Sequence, residues 1–470
     1  MPRRPFEKFA LPVALSVSLL TAAPAVSSFA AGPAKGTTTV TVGSAAASHE
    51  TAAASKQALV QEYQTFLKEK HQVSFKGNLT RGDLIRAVAA VLNLKASDKT
   101  IAFRDLAPDS PSFAAAAALK QAGIISGDKA DLEGKLSSIQ AVQLVFKASG
   151  LREVAYTYPA DKVKRTLAPL HLHAAQLGTG GAQVLAAAVD TGIVPQGFIG
   201  YVKPNGKADP AFTSVLLGEL LKSKGLYKRY VGYVSDAGIY EEVRNAYSTA
   251  GIVKAPELQA IGDGALKQDI VTGYTVRDAR YAPNFVDALS LTYGHSDIDH
   301  AVQLIGLLRT EGLDAKVQIE PRTSAFIYLK EWGEPEPSEN YEVVQIENGN
   351  YIEYAKEYNL SFEFANAADK AKFEPIILSY AKKNEENQPG LIAGSWWQPL
   401  YTSETPLNGY IPITNNKVSG GRYYIVSFSL NDKAAAVRDG FKALDPKAAV
   451  SSHEFYVDAP FYRYLNGESK

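Results

Sequence analysis

The chain has no cysteine among its 470 residues. Disulfides, a thiol nucleophile and thiolate metal sites are therefore excluded. Its folded parts must be held by their cores, which a chain of this length can bury. It also has no excess of charge: 49 Lys and Arg face 49 Asp and Glu. That removes any broad electrostatic attraction for nucleic acid or an anionic membrane. Beyond the N-terminal segment no apolar run is long enough to span a bilayer. There is no phosphate-binding glycine loop and no serine-hydrolase elbow. Tryptophan is scarce: Trp332 stands alone and Trp396-Trp397 form a pair. Such a pair can stack on sugar rings, although core packing is the commoner fate of tryptophan.

What is present begins with a targeting pattern. Arg3, Arg4 and Lys8 precede an apolar run from Phe9 to Leu20 and small residues through Ala31. Residues 1–31 read as a signal peptide for general secretion, with Ala23-Pro24-Ala25 and Ser28-Phe29-Ala30 as cleavage sites. Residues 32–55 are Ala, Thr, Ser and Gly with few large apolar side chains, the composition of a flexible linker. From Lys56 a helical stripe starts with Leu59, Val60, Tyr63 and Leu67.

Residues 56–230 carry an internal repeat. Three polar caps each lead into an apolar helix: Thr80-Arg81-Gly82-Asp83 running to Leu94, Ser137-Ser138-Ile139-Gln140 to Gly150, and Phe212-Thr213-Ser214-Val215 to Gly225. Glycine turns precede the later two, Gly123-Ile124-Ile125-Ser126-Gly127 and Gly192 to Gly197. Each turn follows an alanine-rich helix, Phe113 to Ala122 and Ala182 to Thr191. One such helix pair cannot cover its own apolar face, so the repeats should pack on one another.

This sequence of cap, helix, Phe103-Arg104-Asp105-Leu106 entry, second helix and Gly123–Gly127 turn resembles the S-layer homology family. The resemblance implies a pseudo-threefold helical bundle whose grooves bind secondary cell-wall polysaccharide, an anionic glycan, on the surface of a Gram-positive-type bacterium. It implies no cofactor and no nucleic-acid partner, and no membrane association once the signal is cleaved. The family's Thr-Arg-Ala-Glu motif falls on Thr80, Arg81, Gly82 and Asp83, so Arg81 is the implied glycan contact. Thr80, Asp83, Gly123 and Gly127 are implied to shape that site. An arginine suits the role because its planar fork matches an oxyanion with two hydrogen bonds. Thr80 and Asp83 also form a capping box, and a cap can present an arginine. The second and third repeats have no arginine at the matching place, and Phe113 stands where the family has tryptophan. Lys120, Lys135, Lys203 and Lys207 are other positive groups of this region, of the kind usually just solvated.

After Tyr230 tyrosine, alternating strand patterns and longer loops become common. Helices are expected over Tyr233 to Ala250, from Ile298 to Leu308, over Asn366 to Lys383 with a bend at Pro375, and over Lys433 to Leu444. Strands are expected at Ala315 to Ile319, Phe326 to Leu329, Tyr341 to Ile346, Arg422 to Leu430 and His453 to Val457. Turns are expected at Gly262-Asp263-Gly264 and Ala282-Pro283-Asn284. Residues 231–470 thus read as an α+β domain with a mainly antiparallel sheet. The expected fold class is α plus α+β: a pseudo-threefold helical repeat bundle, then that domain.

Within it, Gly294-His295-Ser296-Asp297-Ile298 and Leu307-Leu308-Arg309-Thr310-Glu311-Gly312-Leu313-Asp314-Ala315-Lys316-Val317 resemble the core of transglutaminase-like domains. Ser296 occupies the nucleophilic cysteine's place, and after His300 the next histidine is His453. A serine needs a well-placed base, so the resemblance implies an inactive copy, and a wall-associated enzyme acting on peptide or glycan is the alternative function. Ser296 also reads as a helix N-cap with Asp299 in a capping box. His295, Asp297, Asp299 and His300 are metal-ligating residue types in one short run, but they fall on two sides of a helix.

Overall fold

A computed structural model of the chain describes residues 44–98, 100–335, 338–380 and 400–466. The signal segment, the Trp396-Trp397 pair and the end of the helix expected to reach Lys383 lie outside them. The first described helix, Ser44–His71, begins inside the stretch expected to be linker. From Ala54 onward the described residues pack as one unit. None of the described helices is long and apolar enough to cross a membrane.

The first half of that unit is helical. The main helices are Arg81–Val91, Phe113–Gln121, Ser138–Ser149, Thr179–Asp190 and Pro210–Ser223. The N-caps of three of them are Thr80, Ser137 and Asp209, and each accepts a hydrogen bond from the third helical N–H. The third helix therefore starts at Pro210, before the expected Phe212, because Asp209 caps it and a proline is tolerated at the first helical position. The capping segments are joined as short bridges, Thr80 to Lys135 and Ser137 to Lys207. Backbone hydrogen bonds at 2.8–3.0 Å, Arg81 N to Gly134 O and Leu136 N to Leu79 O, then Ser138 N to Gly206 O and Ala208 N to Leu136 O, hold the three segments side by side. Beneath them one apolar cluster takes in Tyr63, Phe66, Leu84, Val88, Phe146, Leu185 and Leu216. Gly218 is required here: a Cβ on it would stand 2.2 Å from the ring of buried Tyr63.

The second half holds ten strands: β1 (Gly232–Tyr233), β2 (Gly273–Asp278), β3 (Ser290–His295), β4 (Ala315–Tyr328), β5 (Tyr341–Gln345), β6 (Tyr351–Phe364), β7 (Leu400–Ser403), β8 (Tyr410–Gly420), β9 (Tyr423–Ser429) and β10 (Ala449–Asp458). Eight of them close on themselves in the order β4-β2-β9-β8-β10-β7-β3-β6, with β6 returning to β4; β1 and β5 pair outside the ring. This corrects the expected fold class. Residues 231–470 are not an α+β sheet with two free edges beside a helical bundle; they contain a closed eight-stranded antiparallel barrel. The reason lies in β4 and β6. Both run 14 residues, and they pair with each other over the whole length, Ala315 opposite Phe364 through Tyr328 opposite Tyr351. The two short strands expected at Ala315–Ile319 and Phe326–Leu329 are one strand, which unites what would have been the two edges and leaves none exposed.

The barrel's pattern is turned outward. Val317, Ile319, Leu360 and Phe362 pack against Leu304, Ile305 and Leu308 of the helix Ile298–Thr310. Val276, Ala325, Val418 and Ile425 pack beneath the helices Pro256–Lys267 and Ala434–Leu444. Because side chains alternate along a strand, the residues between these face the lumen. They include Gln318, Glu320, Arg322, Asn359, Ser361 and Asn415, all buried. The expected turn at Gly262-Asp263-Gly264 is instead inside the helix Pro256–Lys267, where Gly262 lies against the ring of Tyr274. The helix expected over Tyr233 to Ala250 is Ile239–Ser248, and Tyr233 belongs to β1.

A charged junction ties the helical half to the barrel. Glu363 of β6 accepts Lys228 Nζ at 2.7 Å and Lys316 Nζ at 3.3 Å on one oxygen, and Val286 N at 2.7 Å on the other. Glu62 of the first helix takes the same two lysines, at 3.0 and 3.2 Å, and the Tyr227 hydroxyl at 2.8 Å. Burial would raise the Glu62 carboxyl, but Lys228, Lys316 and the Tyr227 hydrogen bond outweigh it and hold it down to about 2.

Candidate anion-binding site in the helical half

Arg81 opens the helix Arg81–Val91 and is half-buried. Its Nε donates to the Ala130 carbonyl at 3.0 Å, which holds the guanidinium beside the turn after Gly127. The close approach depends on Gly82, whose N–H bonds Leu132 O at 2.8 Å and where a Cβ would lie 2.9 Å from that oxygen. Thr80 and Asp83 form the expected reciprocal box: Asp83 N reaches Thr80 Oγ1 at 3.2 Å, and Thr80 N reaches Asp83 Oδ2 at 2.9 Å.

Two further cations gather near Arg81. Lys147, in the last turn of Ser138–Ser149, has its ammonium pKa lowered by burial first and then by the charges of Arg81 and Arg152. Arg152 donates from Nη1 to the Gly123 carbonyl at 3.1 Å, and Glu153 balances its other side. Among the described residues no carboxylate pairs with Arg81 or Lys147. Gly123 has φ +68° and Gly127 φ +94°, values a glycine accepts at no steric cost. Lys147 is thus acted on by both Arg81 and Arg152, and Arg152 is bonded to the Gly123 turn. Asp83 is turned elsewhere: its Oδ1 takes Arg86 Nη2 at 2.7 Å, and the two line a separate groove with His71, Phe75 and Leu79. Sequence reasoning missed Lys147 and Arg152. Their signal was weak, since Lys147 sits in the last turn of a helix, where cations are favoured anyway, and Arg152 only opens the short helix Arg152–Tyr156. Of the lysines named earlier, Lys120 Nζ bonds the Ala102 carbonyl and sits 4.7 Å from the Phe103 ring, while Lys207 bonds Asn78. Phe113 packs edge-on against Phe103 with centroids 6.0 Å apart.

The second sequence-expected site is arranged differently from the expectation. The helix Ile298–Thr310 is capped by Asp297, whose Oδ1 accepts Asp299 N at 2.9 Å, so Ser296 is not the cap. Ser296 is exposed and its carbonyl accepts the Tyr247 hydroxyl at 2.8 Å. His295 and His300 face each other, ring centroids 4.0 Å apart with nitrogens at 2.9 Å. The hydrogen bonds of these imidazoles run to each other and to Asp297 rather than to Ser296. Burial, followed by the His300 charge, lowers His295 to about 4. Asp297 Oδ2 lies 3.8 Å from His300 Nε2, whereas Asp299 is taken by Arg244 at 2.7 Å on the other side. Among the described residues no three His, Asp or Glu side chains form a metal-holding group. Trp332 packs edge-on against Tyr328 at 5.2 Å.

No family model matches the chain, and no curated protein matches it in sequence.

Proposed function

We propose that this is an exported surface protein, bound to the cell wall through its helical half. Its ligand is an anionic wall polysaccharide, held at the basic cluster around Arg81. One observation carries the reading: Lys147 lies within reach of the charges of both Arg81 and Arg152, and among the described residues no carboxylate pairs with Arg81 or Lys147, while Arg81 is anchored on the Ala130 carbonyl and Arg152 on that of Gly123. Like charges held together are costly unless an anion shares them. Acidic groups spaced along a glycan supply such an anion, and guanidinium groups grip carboxylate or phosphate with paired hydrogen bonds. Export rests on the 1–31 segment. The resemblance of Thr80-Arg81-Gly82-Asp83 to the S-layer homology motif agrees with it, and here Arg152 and Lys147 stand in for the arginines absent from the later repeats.

The test is co-sedimentation of the full chain with purified cell walls. Wild type pellets with the walls. Arg81→Ala and Lys147→Ala each weaken pelleting by about tenfold or more, the worth of one charge-assisted contact. Lys120→Ala does not. Wild-type protein left in the supernatant, or all three variants pelleting alike, rejects the reading.

A further inference from the structure

The barrel lumen holds a second set of charged groups, remote in sequence from the Arg81 cluster. Tyr424, Arg277, Arg322 and Glu357 lie side by side across β9, β2, β4 and β6. Their sequence neighbours Val276, Ile425 and Tyr358 pack outward beneath the covering helices, so this row faces inward. Two arginines directly opposite each other on adjacent strands repel. Each has one carboxylate within 4 Å: Arg322 Nη2 reaches Glu357 Oε2 at 2.7 Å, and Arg277 Nη1 stands 3.7 Å from Glu320 Oε2. Those carboxylates are already shared. Glu357 Oε2 also accepts Ser324 Oγ at 2.5 Å; Glu320 accepts Asn359 Nδ2 at 3.0 Å and the Tyr424 hydroxyl at 3.1 Å.

What remains unpartnered points to a ligand. Arg277 Nε and Arg322 Nε are enclosed without a hydrogen-bond partner among the described residues. So is Thr275 Oγ1, two residues before Arg277 on the same face, and so is Asn415 Oδ1 on β8. An enclosed N–H left unpaired costs the full desolvation of that group, and native structures rarely tolerate it. Here two charged donors and a hydroxyl are left so on two neighbouring strands. Lys417 adds a third cation; it lies 4.0 Å over the Tyr424 ring, and burial, then Arg277, lowers its ammonium while Glu320 opposes them. Glu404 also acts on Arg277, so the unmatched feature of the row is its unpaired donors rather than its charge count.

The lumen is graded. Phe428, Ile413, Phe455 and Val457 fill one end, which Phe461 of the terminal helix closes. Beyond it lie Arg322, whose side chain is 5% exposed, and Arg277 at 17%; the ion pair of His453 and Glu404, each 47% exposed and 3.1 Å apart, lies beside Phe455, whose ring is 6.4 Å from that of His453. The two Nε–H groups and the Thr275 hydroxyl lie on one inward face of the paired strands β2 and β4. We propose that the polar half of the barrel lumen binds a small oxyanion, whose oxygens accept from Arg277 Nε, Arg322 Nε and Thr275 Oγ1. Cations are disfavoured by the arginine pair. An oxyanion offers acceptors to guanidinium N–H groups without bringing donors of its own.

The test is thermal unfolding of the full chain at neutral pH with sodium phosphate in the low-millimolar range, against sodium chloride at equal ionic strength. That range keeps clear of the general stabilisation by excluded salts. Phosphate raises the midpoint saturably, by about 2–4 °C. Arg277→Lys keeps the charge but removes Nε and abolishes the rise. Thr275→Val, which removes only a hydroxyl and retains the wild-type circular dichroism spectrum, at least halves it. Arg81→Ala leaves it intact, which separates this site from the wall-binding cluster. A response that does not saturate, that Thr275→Val and Arg277→Lys leave unchanged, or that Arg81→Ala removes, overturns the proposal.

Discussion

The two halves of this protein bury opposite chemistry. Around Tyr63, Phe146 and Leu216 the helical half encloses alanine, leucine and aromatic side chains. The barrel puts most of its apolar residues outside, under helices, and encloses Arg322, Glu320, Glu363 and Asn359 beside the apolar end around Ile413 and Phe455. An apolar core is non-directional and forgives exchanges that keep its volume. A polar interior is held by specific pairs, so removing one member leaves its partner charged and dry. The difference predicts where each half is brittle.

The largest effect is expected at the junction. Glu363→Ala leaves Lys228, whose side chain is 1% exposed, to share the single carboxylate of Glu62 with Lys316. The loss should be about 3–5 kcal/mol, read from urea unfolding. A loss below about 1 kcal/mol, typical of an exposed pair, would break the comparison.

Next is Gly218→Ala in the helical half. Its new Cβ would lie 2.2 Å from the buried Tyr63 ring, and overpacking of this kind costs about 1–3 kcal/mol. If the protein loses nothing, the helical core is looser than the barrel in packing as well as in chemistry.

Acid should act on both halves in sequence. His295 is lowered to about 4 from 6.5, so the folded state resists a proton that the unfolded chain accepts, and stability falls as pH drops through that window. Glu62 is lowered to about 2 from 4.5, so its contribution is intact above 4.5 and is lost as pH falls toward 2. Denaturant midpoints between pH 7 and 3 should decline in both windows. His295→Asn should flatten the upper decline and Glu62→Gln the lower. A flat profile in the wild type would remove both assignments.

The smallest effect is Thr275→Val without added anion. The hydroxyl has no partner among the described residues, so stability should stay within about 0.5 kcal/mol of wild type. A larger loss in equilibrium unfolding would mean that the hydroxyl is engaged by the protein itself.

Much of the helical half was legible. Thr80 and Ser137 carry capping signatures, and Asp83 and Gln140 complete them three residues on, as found. Arg81 was legible as a residue, but its setting was not. Lys147 lies 66 positions along the chain, and only helix packing brings its charge near. The Ser296 cap was misplaced by one residue, because Asp297 and Ser296 are equally good caps and tertiary contacts, among them Tyr247 on the Ser296 carbonyl, chose between them. In the barrel, β8 was overlooked: Pro412 and Asn415-Asn416-Lys417 resemble a turn. In the closed sheet Asn415 and Lys417 face the polar lumen.

By itself the sequence determined local matters: the absence of disulfides, the balance of charge, the caps, the glycine turns and the apolar stripes. These depend on neighbours a few residues apart. Barrel closure, the inward row of Arg277 and Arg322, and the approach of Lys147 to Arg81 and Arg152 were decided only in three dimensions. An alternating strand reads the same whether its polar face meets water or a lumen. Only the pairing of β4 with β6 turns that face inside.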